Sequence, residues 1–229
     1  MPDDLQIDHE WQTRLEPVYR LYAAIVRHAH PDTGLGGKLL YAGELHEDGC
    51  RLVRAGNVAG AASLSATVDP TALRHANRDG VADFLVTSLD EALRILKNEI
   101  RKKQAVSVGV SVSPAAMVAE MIERGVLPDL LPPAAWAGVE THWEFAAHGA
   151  RTVPVDDAAD GTFLAWSPAP TDFERLVLSV LPADDSLNRR WLHLSPRYLG
   201  PAARRVRSLA CTAEVAARIA EALAARQAL

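Results

Sequence analysis

The chain has 229 residues, 48% of them hydrophobic and 23% charged, and a formal net charge of −5. That length suits one large domain or a core with an appendage, and the acidic balance argues against a general nucleic-acid binder. No apolar run approaches the roughly 20 residues that span a bilayer, so no membrane partner is expected.

The acidic start, MPDDLQIDHE, has neither secretory-signal nor transit-peptide character. In EWQTRLEPVYRLYAAIVRHAH, Trp11, Leu15, Val18, Tyr22 and Ile25 recur every three or four residues. They form one face of an amphipathic helix, with an interruption or bend expected at Pro17. His28, His30 and Asp32 follow, but alternate residues on a fraying helix end diverge, which disfavours a metal site.

PDTGLGG reads as a loop and KLLYAG as a strand running into Gly43. A helix-length segment and a β-like run closing on Asp69 complete the outline of a nucleotide-binding βαβ unit. Where a phosphate loop is glycine-rich, this chain has Glu44, Leu45, His46, Glu47 and Asp48 before Gly49. Cys50 has no activating base nearby in sequence, which argues against a nucleophile. It also lies too far from Cys211 to form a metal or redox spacing, and a reducing cytoplasm is the expected location.

PTALRHANRDG predicts a short helix closed by Gly80, and ADFLVT a buried strand. Ser88 and Glu91 have capping-box spacing ahead of a helix whose stripe is Leu89, Leu93, Leu96 and Ile100. AVSVGVSV is β-rich; Ser113 is placed to cap the next helix, with Pro114 at its first position and Gly125 past its end. VLPDLL reads as another strand.

Strands alternating with helices over residues 37 to 131 predict an α/β fold, a Rossmann-like parallel sheet flanked by helices. Its ligand crevice would lie at the carboxyl ends of the strands, near Gly43, Asp69, Thr87 and Ser111 to Ser113. Asp69 is placed to bind a ribose hydroxyl, although a strand-end turn with Pro70 is the commoner role. Ser107, Ser111 and Ser113 could donate to a small anion, with capping and exposure the commoner roles.

Beyond about residue 132 the pattern loosens into an irregular α+β extension. TDFERLVLSVLPADD and TAEVAARIAEALAARQAL read as helices. His142 and His148 could line a pocket with Trp136, although solitary histidines are commoner. RRWLHLSPR and ARRVRS read as a solvated helix face or as a patch for an acidic ligand, the former favoured. Three segments are expected: an N-terminal helix and loop (1–36), a Rossmann-like domain (37–138), and a C-terminal α+β extension packed on the core (139–229).

The stretch SLDEALRILKNEIRKKQAVSVGVSVSPAAMVAEMIERGVLPDLL resembles the NAD-binding Rossmann domain of the urocanase (urocanate hydratase) family. The family's helix start of Leu-Asp-Glu-Ala type is matched here, and its helix end and Pro-Asp-Leu motif fall on Glu120, Met121, Arg124, Gly125, Val126, Pro128, Asp129 and Leu130. GGKLLYAGEL and NVAGAASLSATVDP resemble its first strand, helix and second strand, so the resemblance covers about residues 37 to 138.

In that family tightly held NAD+ acts as an electrophile, adding to the imidazole ring of urocanate while water is added. The resemblance puts the family's glycine-rich loop on GELHEDGCRLV, where Gly43 and Gly49 are the glycines in common. Glu44, Glu47 and Asp48 would repel a pyrophosphate; two unit charges ~5 Å apart interact by about 3 kcal/mol at an effective dielectric near 20. The family's ribose-binding acid falls on Thr67, its following arginine on Ala72, and its Asn-Ala pair on Ser113 and Pro114. Its Gln-Thr-Ser-Ala-His run falls on residues 134 to 138, and its outer domain has no counterpart in these residues.

The resemblance therefore implies a degenerate, non-catalytic relative that binds a small molecule or serves as an accessory protein in imidazole-acid chemistry. No cofactor is expected, with NAD the one the resemblance allows through Gly43, Gly49, Asp69, Ser111 and Ser113. The alternatives are an active hydratase-like lyase using NAD through a rebuilt loop, and a structural subunit of an oligomer. A homodimer is left open.

Overall fold

The structure, a computed structural model, describes residues 9–27, 29, 33–133, 136, 142–154, 161–166, 171–200 and 206–227. Its first half comprises α1 (His9–Val26), β1 (Leu39–Glu44), α2 (Glu47–Ala59), β2 (Ala62–Ala66) and α3 (Pro70–Arg78). Then come β3 (Phe84–Val86), α4 (Leu89–Arg101), β4 (Val106–Val110), α5 (Pro114–Glu123) and β5 (Leu130–Leu131). The remainder is α6 (His142–Ala147), β6 (Arg151–Thr152), β7 (Thr162–Trp166), α7 (Thr171–Val180), α8 (Ser186–Tyr198), β8 (Arg207–Cys211) and α9 (Ala213–Gln227).

The first six strands form a parallel sheet in the order β3-β4-β2-β1-β5-β6, the α/β Rossmann-like arrangement. From β1 the chain passes to β2, out to the edge at β3 and back to β4 between them, then crosses to the opposite side of β1 with β5. That reversal creates a topological switch point between β1 and β5.

Alternation along β1 sorts the two faces. Leu40 and Ala42 join a core with α1, α2 and α3, while Leu39 and Tyr41 join one with Leu89, Leu96, Met117 and Met121 of α4 and α5. On the first face β2 and β4 present Ser63, Ser65, Ser107 and Gly109, small residues that let helices approach closely. These serines are hydrogen-bonded: Ser63 Oγ donates to Asn57 Oδ1 at 3.2 Å, and Ser65 Oγ to the Val108 carbonyl at 3.4 Å.

Several expectations are corrected. α1 runs through Pro17 without interruption; buried Leu15, Val18, Tyr19 and Tyr22 hold it in place on either side of the proline. β3 is not a buried strand. It lies at the sheet edge with one neighbour, leaving Phe84 48% and Leu85 39% exposed. β5 shrinks to two residues, since the Asp129 carboxylate rather than a strand residue takes the Leu39 N–H, at 2.8 Å. Ser107 belongs to the opposite end of β4 from Ser111 and Ser113, where its Oγ donates to Asp83 Oδ2 at 2.8 Å.

The RRWLHLSPR segment is not a solvated face. It is the body of α8, in which Trp191 and Leu192 are buried. Trp191 Nε1 donates to the Ser208 carbonyl at 2.7 Å, and Tyr19 packs edge-on against the indole, 5.0 Å between centroids. Tyr19 O–H donates to Asn188 Oδ1 at 2.6 Å, so α1 is bound to α8 by apolar contact and by a buried hydrogen bond. The α8 arginines serve backbone carbonyls: Arg189 those of Leu178 and Leu181, Arg190 those of Val58 and Ala59 at the end of α2. In ARRVRS, Arg207 is paired with Glu174 at 2.7 Å, while residues 203–205 lie outside the described residues. β7 and β8 form an antiparallel pair whose buried Phe163, Ala165 and Ala210 share the core of α1 and α2. No helix among the described residues is long and apolar enough to cross a membrane.

Burial pushes the Cys211 thiol up to about 11 and raises the Cys50 thiol and the Tyr19, Tyr22 and Tyr41 hydroxyls. An unfolded thiol titrates near pH 8.5, so on raising the pH the unfolded state loses its protons first and folding stability falls. The urea midpoint is expected to drop between pH 8 and pH 10.5, and Cys211→Ala to drop less; equal slopes would contradict the assignment.

Candidate functional site

The corner between β1 and α2 is where a dinucleotide loop would sit. Gly43 has φ +75°, and the register of β1 against β2 shifts between Tyr41 and Gly43. A side chain there would begin 3.5 Å from Pro132 Cγ, so the residue after β5 packs against this glycine across the switch point. Gly49 lies in the first turn of α2, where a Cβ would fall 1.8 Å from the Glu44 carbonyl oxygen. A dinucleotide loop uses its glycines for a tight turn, for backbone approach to the pyrophosphate, and for close helix–strand packing. Gly43 and Gly49 fill the first and third roles, and no glycine stands between them.

The start of α2 is closed by its own side chains. His46 is the N-cap, its Nδ1 accepting from the Gly49 N–H at 3.0 Å, and the Cys50 N–H goes to the His46 carbonyl at 2.9 Å. Glu47 and Asp48 occupy the first turn, where negative charge complements the helix dipole. Arg51 binds two of the three acids of this run, Glu47 and, at 2.8 Å, Asp48 Oδ1, while Glu44 is exposed. An incoming phosphate would meet the capped Gly49 N–H and the exposed Glu44.

Gly43, Asp69 and Ser111 come together at the carboxyl edge of the adjacent strands β1, β2 and β4. Asp69, Thr67 and Ser113 have local tasks there. Asp69 caps α3, its Oδ1 accepting from the Thr71 N–H at 2.7 Å, as its pairing with Pro70 suggests. Thr67, in the place of the family's ribose acid, is buried and accepts the Asp69 N–H at 3.2 Å. The exposed Ser111 donates its backbone N–H to the Val86 carbonyl at 2.9 Å, and Ser113 caps α5 through the Ala116 N–H at 3.2 Å.

From the crevice at Leu45, His46 and Asp69 a concavity continues between the helices without a signature in the sequence. A cleft of about 720 Å³ opens between α1, α2 and α3, reaching Leu199 and Gly200. Arg54, on the wall formed by α2, donates Nη2 to the Asp79 carbonyl at 3.1 Å, while its Nε is shielded from solvent and has no hydrogen-bond partner. Burial lowers the pKa of this guanidinium. Nothing in the sequence near Arg54 signals this, since the partner carbonyl lies 25 positions away.

Other candidates separate. His28, His30 and Asp32 lie outside the described residues, as does the side chain of His142. His148 is exposed, its Nδ1 2.8 Å from the Glu144 carbonyl oxygen. Cys50 faces the cleft, but burial raises its thiol, the wrong direction for a nucleophile at neutral pH. Among the described residues no three His, Cys, Asp or Glu side chains are grouped to hold a metal ion.

A family model described as the urocanase Rossmann-like domain matches residues 15–135, more than half of the chain. The match begins within α1, upstream of the first strand. In the structure the motif residues that carry the resemblance prove to be fasteners. Asp129 binds the Leu39 N–H and, at 2.8 Å, Lys38 Nζ, fixing β5 to the start of β1. Arg124 joins α5 to α4 by pairing with Asp90, and pairs at 2.9 Å with Glu120 of its own helix. Ser88 Oγ accepts the Glu91 N–H at 3.3 Å, and the Glu91 carboxylate reaches back to the Thr87 N–H at 2.8 Å.

Gly49→Ala is expected to cost about 1–3 kcal/mol or more by forcing α2 off β1. Gly125→Ala, at φ +65° with nothing within 4 Å of the added methyl, should cost only about 1 kcal/mol of backbone strain. Urea titration of both variants checks the order.

Proposed function

This chain belongs to the urocanase family by its Rossmann-like domain, and we propose that it keeps the family's framework without its cofactor chemistry. On this reading it is a binding or accessory protein lacking urocanate hydratase activity. The observation that carries the proposal is the closed N-terminus of α2: His46 holds the Gly49 N–H that a pyrophosphate oxygen would need. Three features add support: the absence of a glycine between Gly43 and Gly49, Thr67 in place of the ribose acid, and Pro132 packed against Gly43. The residues present do not fit a dinucleotide, and no reaction step is derived through one. Imidazole acids are the ligand class suggested by family analogy. Two unpaired thiols support a reducing, cytoplasmic setting.

The competing reading is a hydratase-like lyase holding NAD through a rebuilt loop, which family membership favours. Denaturing the purified protein and analysing the supernatant separates the two. Less than about 0.1 equivalent of NAD, no thermal shift with NAD+ and no loss of urocanate absorbance are expected. A stoichiometric release of NAD would overturn the proposal.

A further inference from the structure

We propose that the cleft between α1, α2 and α3 binds a small organic carboxylate with an apolar body, anchored by Arg54. This goes beyond the reading above by assigning an anchor and a ligand class to the cleft, which starts at Leu45, His46 and Asp69 of the strand-end crevice and continues between the helices to Gly200. Its volume, about 720 Å³, is within the range of roughly 300–1,000 Å³ typical of small-molecule sites. Leu15, Val18, Leu45 and Val81 supply apolar wall, as such sites require.

The polar lining determines the ligand class. Each carboxylate facing the cleft is already engaged: Glu47 by Arg51, Asp69 by the Thr71 N–H, and Asp79 by Arg78 at 3.0 Å. Arg51 is consumed by Glu47 and Asp48. Arg54 differs. Its guanidinium carries five donors in a planar fork, yet one carbonyl receives Nη2 and the shielded Nε has no acceptor.

The group is also held in place. Gly200, at φ +87°, lies so close over Asp79 that a Cβ would fall 2.6 Å from the Asp79 carbonyl oxygen, the acceptor of Arg54 Nη2. A partly buried cation with an unused donor beside an apolar cavity matches a ligand carrying one carboxylate. A single unneutralised cation favours a monoanion over a phosphate dianion, whose second charge would face the surrounding carboxylates.

The test is ¹H–¹⁵N NMR of the full chain, including the arginine Nε–H signals, with benzoate, indole-3-acetate, benzamide and phenyl phosphate as probes. At least one of the two carboxylates is expected to move the Arg54 Nε–H signal and the amides of α2 and α3 saturably. Benzamide should bind at least tenfold more weakly than benzoate, and phenyl phosphate no tighter. Arg54→Gln should lose carboxylate binding tenfold or more with its thermal midpoint retained; Arg54→Lys, which keeps the charge without the fork, should lose less. The wild-type Nε–H shift decides the matter should the Gln variant fold poorly. Silence from both carboxylates, equal binding of benzamide, tighter binding of phenyl phosphate, or an unaffected Gln variant would each overturn the assignment. Stoichiometric NAD released on denaturation would overturn the reading above whatever the Arg54 signal does, and a silent Arg54 Nε–H in NAD-free protein would overturn the carboxylate assignment, so the two proposals fail separately.

Discussion

The close seating of α2 on β1 is the constraint from which the remaining geometry follows. Gly49 leaves no room for a Cβ against the Glu44 carbonyl, and at Gly56 a Cβ would fall 2.5 Å from Leu40 Cδ2. With the helix this near the sheet, its other side becomes a platform. α1 lies on it through Leu15, Val18 and Tyr22, and Arg190 of α8 caps its carboxyl end at the Val58 and Ala59 carbonyls. A cation at that end is favoured by the helix dipole as well as by the hydrogen bonds. The same seating forms one wall of the cleft that contains Arg54.

The family's motif residues survive where they fasten one element to another. Asp129 ties β5 to β1, Arg124 ties α5 to α4, Ser88 and Glu91 start α4, and Gly49 admits α2 to the sheet. Loss of any of these would leave buried groups unsatisfied or elements apart, a cost to folding whether or not a ligand binds. At the strand ends His46 and Asp69 cap helices, and Thr67 supports the turn into α3.

Short-range signals are legible in the amino-acid order. The caps at Ser88, Ser113 and Asp69, the glycine beyond α5, and the alternation of strands and helices from residue 37 all act within a few positions. The strand-end grouping of Gly43, Asp69 and Ser111 is equally readable, since a parallel sheet puts the carboxyl ends of its strands on one edge. The exposure of β3 is not, because an apolar run does not reveal whether a strand has one neighbour or two. Counting the acids of the β1–α2 loop alone overstates its charge, because Arg51, one helical turn along, answers Glu47 and Asp48.

By itself the sequence determined most of the elements, the parallel Rossmann-like sheet and a β1–α2 loop with no glycine between Gly43 and Gly49, since periodicity, capping and backbone freedom are local properties of neighbouring residues. Only the tertiary structure decided which groups are shielded and which are answered. The partners of Trp191, Arg54, Arg190 and Tyr19 lie 17, 25, 131 and 169 positions away and are found only when the helices close on one another. Shielding from water arises from that closure, and with it the difference between a solvated arginine and an anchor.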